Sequence, residues 1–363
     1  MIIDATTGSG NKKTTTERIP GSTCTPIVAT TVPGSLHNGP RKHASLFSFV
    51  YAFCFLIPAY DVEALSGTSA AQSSRRLLRC PHVVVPPRPH VKANEKWVDQ
   101  AVKHLACDGV VALVQADVSN DEGVIGHTIC DDASEAVSSR LTELQRKIRS
   151  RGIDPTGKES PYRFMEVVSR DEGGRRFDVP VPWLGRKDNG VDNNNYDLGT
   201  PLNVMQEEAV TKLHRRVHGI VGPIASNLWN IDEADLDVAA AGFLVNQPGS
   251  KSQKFHRDGP DPGMLDVFVP LIDLQECLGP TAVKPGTHVD DDAQQSEEIE
   301  AVTPLLRKGE LLVFDYRTLH KGQGNQCKEQ MTRTLAYVVY ADGDNVNGGD
   351  VRNFPAATTL EYD

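Results

Sequence analysis

Five short runs in the C-terminal half of the chain decide the fold: DVAAAGFLVN (237–246), MLDVFVPLID (264–273), TAVKPG (281–286), ELLVFDY (310–316) and RTLAYVVYAD (333–342). Most are rich in β-branched and aromatic residues, and Gly, Pro or Asp bounds them, which is the pattern of strands closed by turns. No helical pattern separates them, so the strands are expected to pair antiparallel. Upstream the period is helical. In EKWVDQAVKHLACDG (95–109), Trp97, Ala101, Val102 and Leu105 share one face and Gly109 ends the helix. VVALV (110–114) follows as a buried strand. Ala133, Ala136, Val137, Leu141, Leu144 and Ile148 form a second apolar stripe, and Val210, Leu213, Val217 and Ile220 a third. The Gly/Asn/Asp-rich stretch 170–200 reads as loop. Helices followed by many strands imply a mainly β domain with flanking helices, a double-stranded β-helix (jelly roll, cupin-like).

With 363 residues, 39% hydrophobic and 24% charged, the chain has the composition of a globular protein and excludes collagen-like, coiled-coil or wholly disordered classes. Its net charge of −10 is uneven: residues 1–90 carry +5, so the remainder carries −15. An acidic folded region argues against a nucleic-acid partner. Residues 1–92 read as a disordered and targeting region, and 93–363 as the folded domain. Residues 5–40 are rich in Thr, Ser, Gly and Pro. The apolar run Ala44–Ala59 follows Arg41-Lys42-His43 and is sixteen residues long, short of the roughly 20 that span a bilayer. That layout resembles a signal peptide, and SGTSAAQSSRRLLRC (66–80) resembles an organelle transit segment. A membrane anchor and an untargeted tail are the alternatives. The expected location is therefore the secretory pathway or an organelle, otherwise the cytoplasm, with membrane contact confined to 44–59. Seven cysteines without a CxxC pair read as buried or free thiols, with a single bridge as the alternative.

The chemistry concentrates in QKFHRDGP (253–260). Residues two apart on a strand project to one face, so His256 and Asp258 can converge on one point. His320, in FDYRTLHKGQGN (314–325), supplies a second imidazole. Two histidines and a carboxylate make a facial triad that occupies one side of an octahedral metal and leaves positions open. An HxD pair alone occurs by chance in many chains. Arg333, thirteen residues after His320 at the head of the last strand, adds a guanidinium suited to bidentate carboxylate binding.

HRD (256–258), GPTAVKPGTH (279–288), GELLVFDYRTLHKGQGN (309–325), Arg333 and DGVVALV (108–114) together resemble the phytanoyl-CoA dioxygenase (PhyH)-like family of Fe(II)/2-oxoglutarate-dependent oxygenases. The resemblance spans roughly 95–342. It implies iron held by His256, Asp258 and His320, with the distal carboxylate of 2-oxoglutarate on Arg333. By the same resemblance Gln253 and Thr281 are further co-substrate contacts, a structural polar role being the alternative. His288 resembles the histidine of the family's PG[ST]H turn and reads as a turn-stabilising residue. The sequence departs from the family at Gly322, where a hydroxyl side chain often assists the co-substrate. Arg176 and Trp183 are candidates for the substrate entrance, against surface pairing or ordinary packing. Tyr337 shares strand parity with Arg333 and is a candidate for the interior wall. His214 and His218, four apart without an HExxH glutamate, read as a solvated helix face.

The implied activity is a non-haem iron, 2-oxoglutarate-dependent dioxygenase. It would hydroxylate or oxidise a small organic substrate (a lipid or acyl chain, or a secondary metabolite) with O2, releasing succinate and CO2, with ascorbate as reductant. A non-catalytic jelly-roll binding module and a protein-modifying hydroxylase of the same superfamily are the rival readings.

Overall fold

The computed structural model describes residues 80–86, 96–115, 124–156, 162–171, 173–185, 202–289, 298–328, 330–343 and 360. The Thr/Ser-rich lead, the apolar run 44–59 and the transit-like segment up to Arg79 lie outside the described residues. Among the described residues, no helix is long and apolar enough to cross a membrane.

Eight strands form one sheet: β1 (His82–Val85), β2 (Val110–Gln115), β3 (Val168–Ser169), β4 (Arg176–Pro180), β5 (Leu236–Asn246), β6 (Met264–Pro270), β8 (Leu311–Asp315) and β10 (Arg333–Asp342). Their order is β1-β2-β8-β6-β10-β5-β4-β3. Only the β1–β2 pair in this sheet is parallel. A second, smaller sheet joins β7 (Thr281–Val283) to β9 (His320–Gly322). It is extended by the His256–His320 and Val283–Val302 bridges. Two antiparallel layers around a shared interior match the expected jelly roll. β1 lies ahead of residue 93, where the folded domain was expected to begin.

Period-two alternation gives the large sheet two apolar faces. Phe177, Val179, Phe243, Val245, Val267, Val269, Val313, Val338 and Tyr340 turn outward and bury themselves under the helices. Phe268, Leu312, Phe314, Leu335, Tyr337 and Val339 turn into the space between the sheets, where Val283 of the smaller sheet joins them. Full burial of a Phe or Val side chain contributes roughly 1.5–3 kcal/mol, so a register slip of one residue would forfeit many such contributions at once.

Three helices cover the outer face: α1 (Lys96–Asp108), α2 (His127–Ser150) and α3 (Val204–Trp229). All three expected stripes are buried, including Leu105, Leu144 and Leu213. α3 opens on a capping box in which Asn203 and Gln206 satisfy each other's backbone N–H groups. At the end of α1 the chain turns through Gly109 at φ +68°, where a Cβ would sit 2.3 Å from His288 Nδ1. His288 is buried there with Nε2 3.4 Å from the Ala106 carbonyl, in keeping with its reading as a turn-stabilising residue.

The structure corrects four expectations. The stretch 170–200 is not simply loop, because β4 runs through it with every residue buried. A strand covered on both faces shows no alternation, and its Arg and Asp disguised it. Trp183 does not reach the interior. It stacks on His214 at 4.7 Å and meets His218 and Tyr340 edge-on, on the helix side of the sheet. His214 is accordingly no solvated residue: it is fully buried and Nδ1 accepts the Leu184 N–H at 3.1 Å. Among the cysteines, Cys277 and Cys327 form a disulfide and Cys107 is disulfide-bonded, whereas Cys80 and Cys130 are buried free thiols.

Burial pushes the His214 pKa down to about 3. The folded state therefore excludes a proton that the unfolded chain takes up near pH 6.5. The stability His214 contributes is full above pH 6.5 and declines as the pH falls toward 3. His214→Asn keeps an acceptor for Leu184 and cannot titrate. Between pH 6.5 and 5 the parent is expected to lose about 2 kcal/mol more than the variant in urea unfolding, at about 1.4 kcal/mol per pH unit; equal losses would refute the assignment.

Candidate metal centre

Two main-chain hydrogen bonds set the centre. His256 N–H donates to the His320 carbonyl at 2.9 Å, and His320 N–H returns the bond at 2.9 Å. The two residues thus face each other across the minor sheet with ring centroids 4.5 Å apart. Asp258 N–H donates to the Tyr316 carbonyl at 3.1 Å, which brings its carboxylate back to the same point.

The rings are turned by the backbone. His256 Nδ1 lies 2.9 Å from the Lys254 carbonyl and His320 Nδ1 lies 3.0 Å from the Thr318 carbonyl. Only a protonated Nδ1 can donate to a carbonyl, so each Nε2 presents its lone pair. His256 Nε2 sits 3.6 Å from Asp258 Oδ1, and His320 Nε2 sits 3.4 Å from Asp258 Oδ2. One ligand atom from each residue falls within 4.8 Å of the others. Burial lowers the His320 pKa, which favours the neutral, ligating imidazole. This donor set fits a divalent iron with open coordination positions.

Around the triad, an open cleft is lined from both sheets. Gln253, Thr281, Arg333, Arg176 and Tyr337 all reach it. Trp183, alone of the expected site residues, does not. Gln253 Oε1 accepts the Gly322 N–H at 3.0 Å. Ala240, Leu244, Phe268, Leu335 and Val339 form its apolar wall.

At one end, sheet register places three residues in a row, because Asn246 of β5 pairs with both Arg176 of β4 and Arg333 of β10. The Asn246 amide, oriented with its oxygen toward the guanidiniums, accepts from Arg333 Nη2 at 2.8 Å and from Arg176 Nη2 at 3.0 Å and Nε at 3.1 Å. Arg333 is 2% exposed, and its Nε and Nη1 have no hydrogen-bond partner among the described residues. Burial, and then the charge of Arg176, push its pKa down to about 9.

Several lining groups carry no distinctive sequence motif. Arg170 donates Nε, at 3.1 Å, and Nη2 to Asp178 Oδ2, while the Tyr337 hydroxyl donates to Asp178 Oδ1 at 2.9 Å. Asp266 is buried beside Asp258, and desolvation followed by the Asp258 charge raises its pKa well above the carboxylate range. The signal for both carboxylates was a lone acidic residue inside an apolar strand run.

The family model described as Phytanoyl-CoA dioxygenase (PhyH) matches residues 190–333, a span that contains Gln253, the triad, Thr281 and Arg333. Residues 190–333 are therefore similar to that family. It is 28% identical over 131 residues to "Dioxygenase trt7" of Aspergillus terreus (strain NIH 2624 / FGSC A1156), covering 32% of this chain and 46% of that protein. It is 29% identical over 108 residues to "Dioxygenase easH" of Epichloe festucae var. lolii, covering 26% and 58%. The chain thus spans about half the length of the curated relatives it matches. Among solved structures, AviO1 from Streptomyces viridochromogenes Tue57 is 14% identical with a TM-score of 0.43, covering 67% of this chain and 94% of that one. The epimerase SnoN, solved with Fe3+, alpha ketoglutarate and nogalamycin RO, is 15% identical with a TM-score of 0.42, covering 73% and 96%.

At this candidate centre, His256→Ala and His320→Ala each remove one candidate ligand and leave the reciprocal backbone bonds intact. Binding of Fe(II), or of Co(II) as a spectroscopic substitute, is expected to weaken by at least about 100-fold, since even the partners that orient a ligand are worth 10–100-fold. Circular dichroism should stay unchanged. Metal titration checks the outcome, and parent-like affinity in either variant would refute the ligand assignment.

Proposed function

We propose that the chain is a non-haem Fe(II)- and 2-oxoglutarate-dependent dioxygenase that oxidises a small organic molecule. One observation carries this reading: two Nε2 lone pairs and a carboxylate converge within 4.8 Å, in the same cleft as an incompletely paired, buried arginine. His256, Asp258 and His320 would hold the iron. Arg333 would hold the distal carboxylate of 2-oxoglutarate, with Gln253 and Thr281 on the same wall. When bound, iron with 2-oxoglutarate and O2 supplies oxidation of an unreactive C–H bond, with succinate and CO2 as co-products.

The chain's own residues do three things. The Lys254 and Thr318 carbonyls fix both imidazoles in the ligating tautomer. Arg333 orients a carboxylate, and because burying a guanidinium costs several kcal/mol, its single neutral partner leaves much of that cost to be offset by an anion. The apolar wall of Ala240, Leu244, Phe268, Leu335 and Val339 keeps water from the reacting end and favours a substrate with an apolar portion, such as an acyl chain or a secondary metabolite. Tyr337, at this wall, is the residue of the expected substrate set best placed to touch it. We assign the oxygenase to residues 93–363 together with β1, and targeting to the segment before it. The Cys277–Cys327 disulfide supports a route through an oxidising compartment.

The full chain with Fe(II), ascorbate and 2-oxoglutarate is expected to release succinate slowly alone and faster with one member of a metabolite panel. Arg333→Ala should raise the 2-oxoglutarate requirement roughly 10- to 1000-fold, as loss of a bidentate charged pair implies. No succinate from anaerobically iron-loaded protein, with or without the panel, would overturn the enzymatic reading in favour of a binding module. Stimulation by a peptide panel instead would move the substrate class to proteins.

A further inference from the structure

The row Arg176–Asn246–Arg333 holds more positive charge than one carboxylate-binding arginine requires. Arg176 is as buried as Arg333, each 2% exposed. Its Nη2 donates to the carbonyls of Lys251 and Gln323 at 2.9 Å and of Gly322 at 3.2 Å. Those carbonyls are neutral. The nearby Asp171 carboxylate accepts the backbone N–H groups of Arg175 at 2.7 Å and of Arg176 at 3.1 Å. Behind the cleft wall Asp178 is paired with Arg170 and Tyr337; within the cleft Asp258 faces the two imidazoles and Asp266 is held toward its protonated form. None of these three carboxylates is paired with the two guanidiniums that share Asn246.

Gly322 bears on the same point. A Cβ there would lie 2.7 Å from Gln253 Oε1 and 3.0 Å from Arg176 Nη1. The space that a side chain would take at this position is occupied first by Gln253 Oε1 and next by the Arg176 guanidinium, brought in from β4. The hydrogen bonds of Arg176 run through Nε and Nη2, and Nη1 makes none among the described residues. Arg333 Nε and Nη1 make none either. Three guanidinium nitrogens therefore lie unpaired at one end of one cleft. A carboxylate offers two oxygens with about four lone-pair sites, which suits them.

We infer that Arg176 is a second cation of the co-substrate anchor, so that the distal carboxylate of a dicarboxylate co-substrate is held between Arg176 and Arg333 and residue 322 is glycine to admit the second guanidinium. The inference rests on the oxygenase reading and deepens it. Two like charges bridged by one amide repel each other, and an entering carboxylate relieves that repulsion. A 2-oxo acid without a distal carboxylate does not. Arg176, placed by the sequence with the substrate entrance, is thereby moved to the co-substrate end.

The test uses metal-free full chain, with calorimetry and thermal shift for 2-oxoglutarate and succinate against 2-oxobutanoate. The parent is expected to be stabilised by both dicarboxylates and little by the monocarboxylate. Arg176→Gln should weaken 2-oxoglutarate about 10- to 100-fold and leave 2-oxobutanoate unchanged, with Arg176→Lys recovering part of the loss. A merely structural role would weaken both ligands alike. Should Arg176→Gln fail to fold, Asn246→Asp decides: it sets a carboxylate between the guanidiniums, so the ligand-free melting temperature should rise and 2-oxoglutarate affinity should fall at least about tenfold. Parent-like dicarboxylate affinity in Arg176→Gln, or in Asn246→Asp where the former is unfolded, overturns the inference. If Arg333→Gln alone loses binding, the oxygenase reading stands without the second anchor. If none of Arg176→Gln, Asn246→Asp and Arg333→Gln changes binding, both fall.

Discussion

The reciprocal backbone pairing of His256 and His320 is the constraint on which the rest of the centre depends. It brings together two segments 64 residues apart in sequence and makes their relative position a property of the sheet rather than of side-chain choice. Once that bridge exists, the Lys254 and Thr318 carbonyls orient both rings. Asp258 then needs only its bond to Tyr316 to complete the triad. The ligands are held by main-chain geometry, whose positional error is small, because a sheet cannot slip without inverting every side chain in it.

Electrostatics divide the cleft into two ends. At the triad, Asp258 faces both imidazoles, and a second carboxyl, Asp266, is driven toward its neutral form by burial and by the charge of the first. At the other end two guanidiniums share one amide. The Arg170–Asp178 pair is balanced within itself. Hydrogen bonds to a charged group return about 1.5–3 kcal/mol each. Arg176, with three backbone carbonyls and Asn246, recovers much of its desolvation cost locally. Arg333, bonded to Asn246 alone, does not. The asymmetry leaves Arg176 only Nη1 for a ligand, whereas Arg333 keeps both Nε and Nη1.

Five of the six strands between residues 236 and 342 were legible because each combines β-forming residues with turn chemistry; β9, only His320–Gly322, was not. The triad was legible because HxD, a distal histidine and an arginine occur in order. β4 was not, because RFDVP is buried on both faces and two of its five residues are charged; composition suggested loop where tertiary packing imposed a strand. His214 and Trp183 were misplaced for a related reason: a polar letter on a helix and an aromatic in an irregular segment each look solvent-facing until their partner is known. That partner, at 4.7 Å, is the other. The Cys277–Cys327 bridge depends on a Cα separation of 4.7 Å across 50 residues, which spacing alone cannot supply.

Gly322 joins the two ends of the cleft. It belongs to β9, the strand that also carries His320, and its N–H is taken by Gln253, three residues before His256. Its carbonyl is taken by Arg176, which reaches it from β4 across the large sheet. A larger residue would have to displace Gln253 Oε1 and Arg176 Nη1 together, and so would disturb the strand that carries His320 and the two-arginine end in one step. The missing side chain that looked like a lost co-substrate contact is therefore a condition for bringing a guanidinium into the same space. Substituting a neutral hydroxyl by a cation there shifts recognition from hydrogen bonding toward charge, the stronger discriminator where the ligand is a carboxylate.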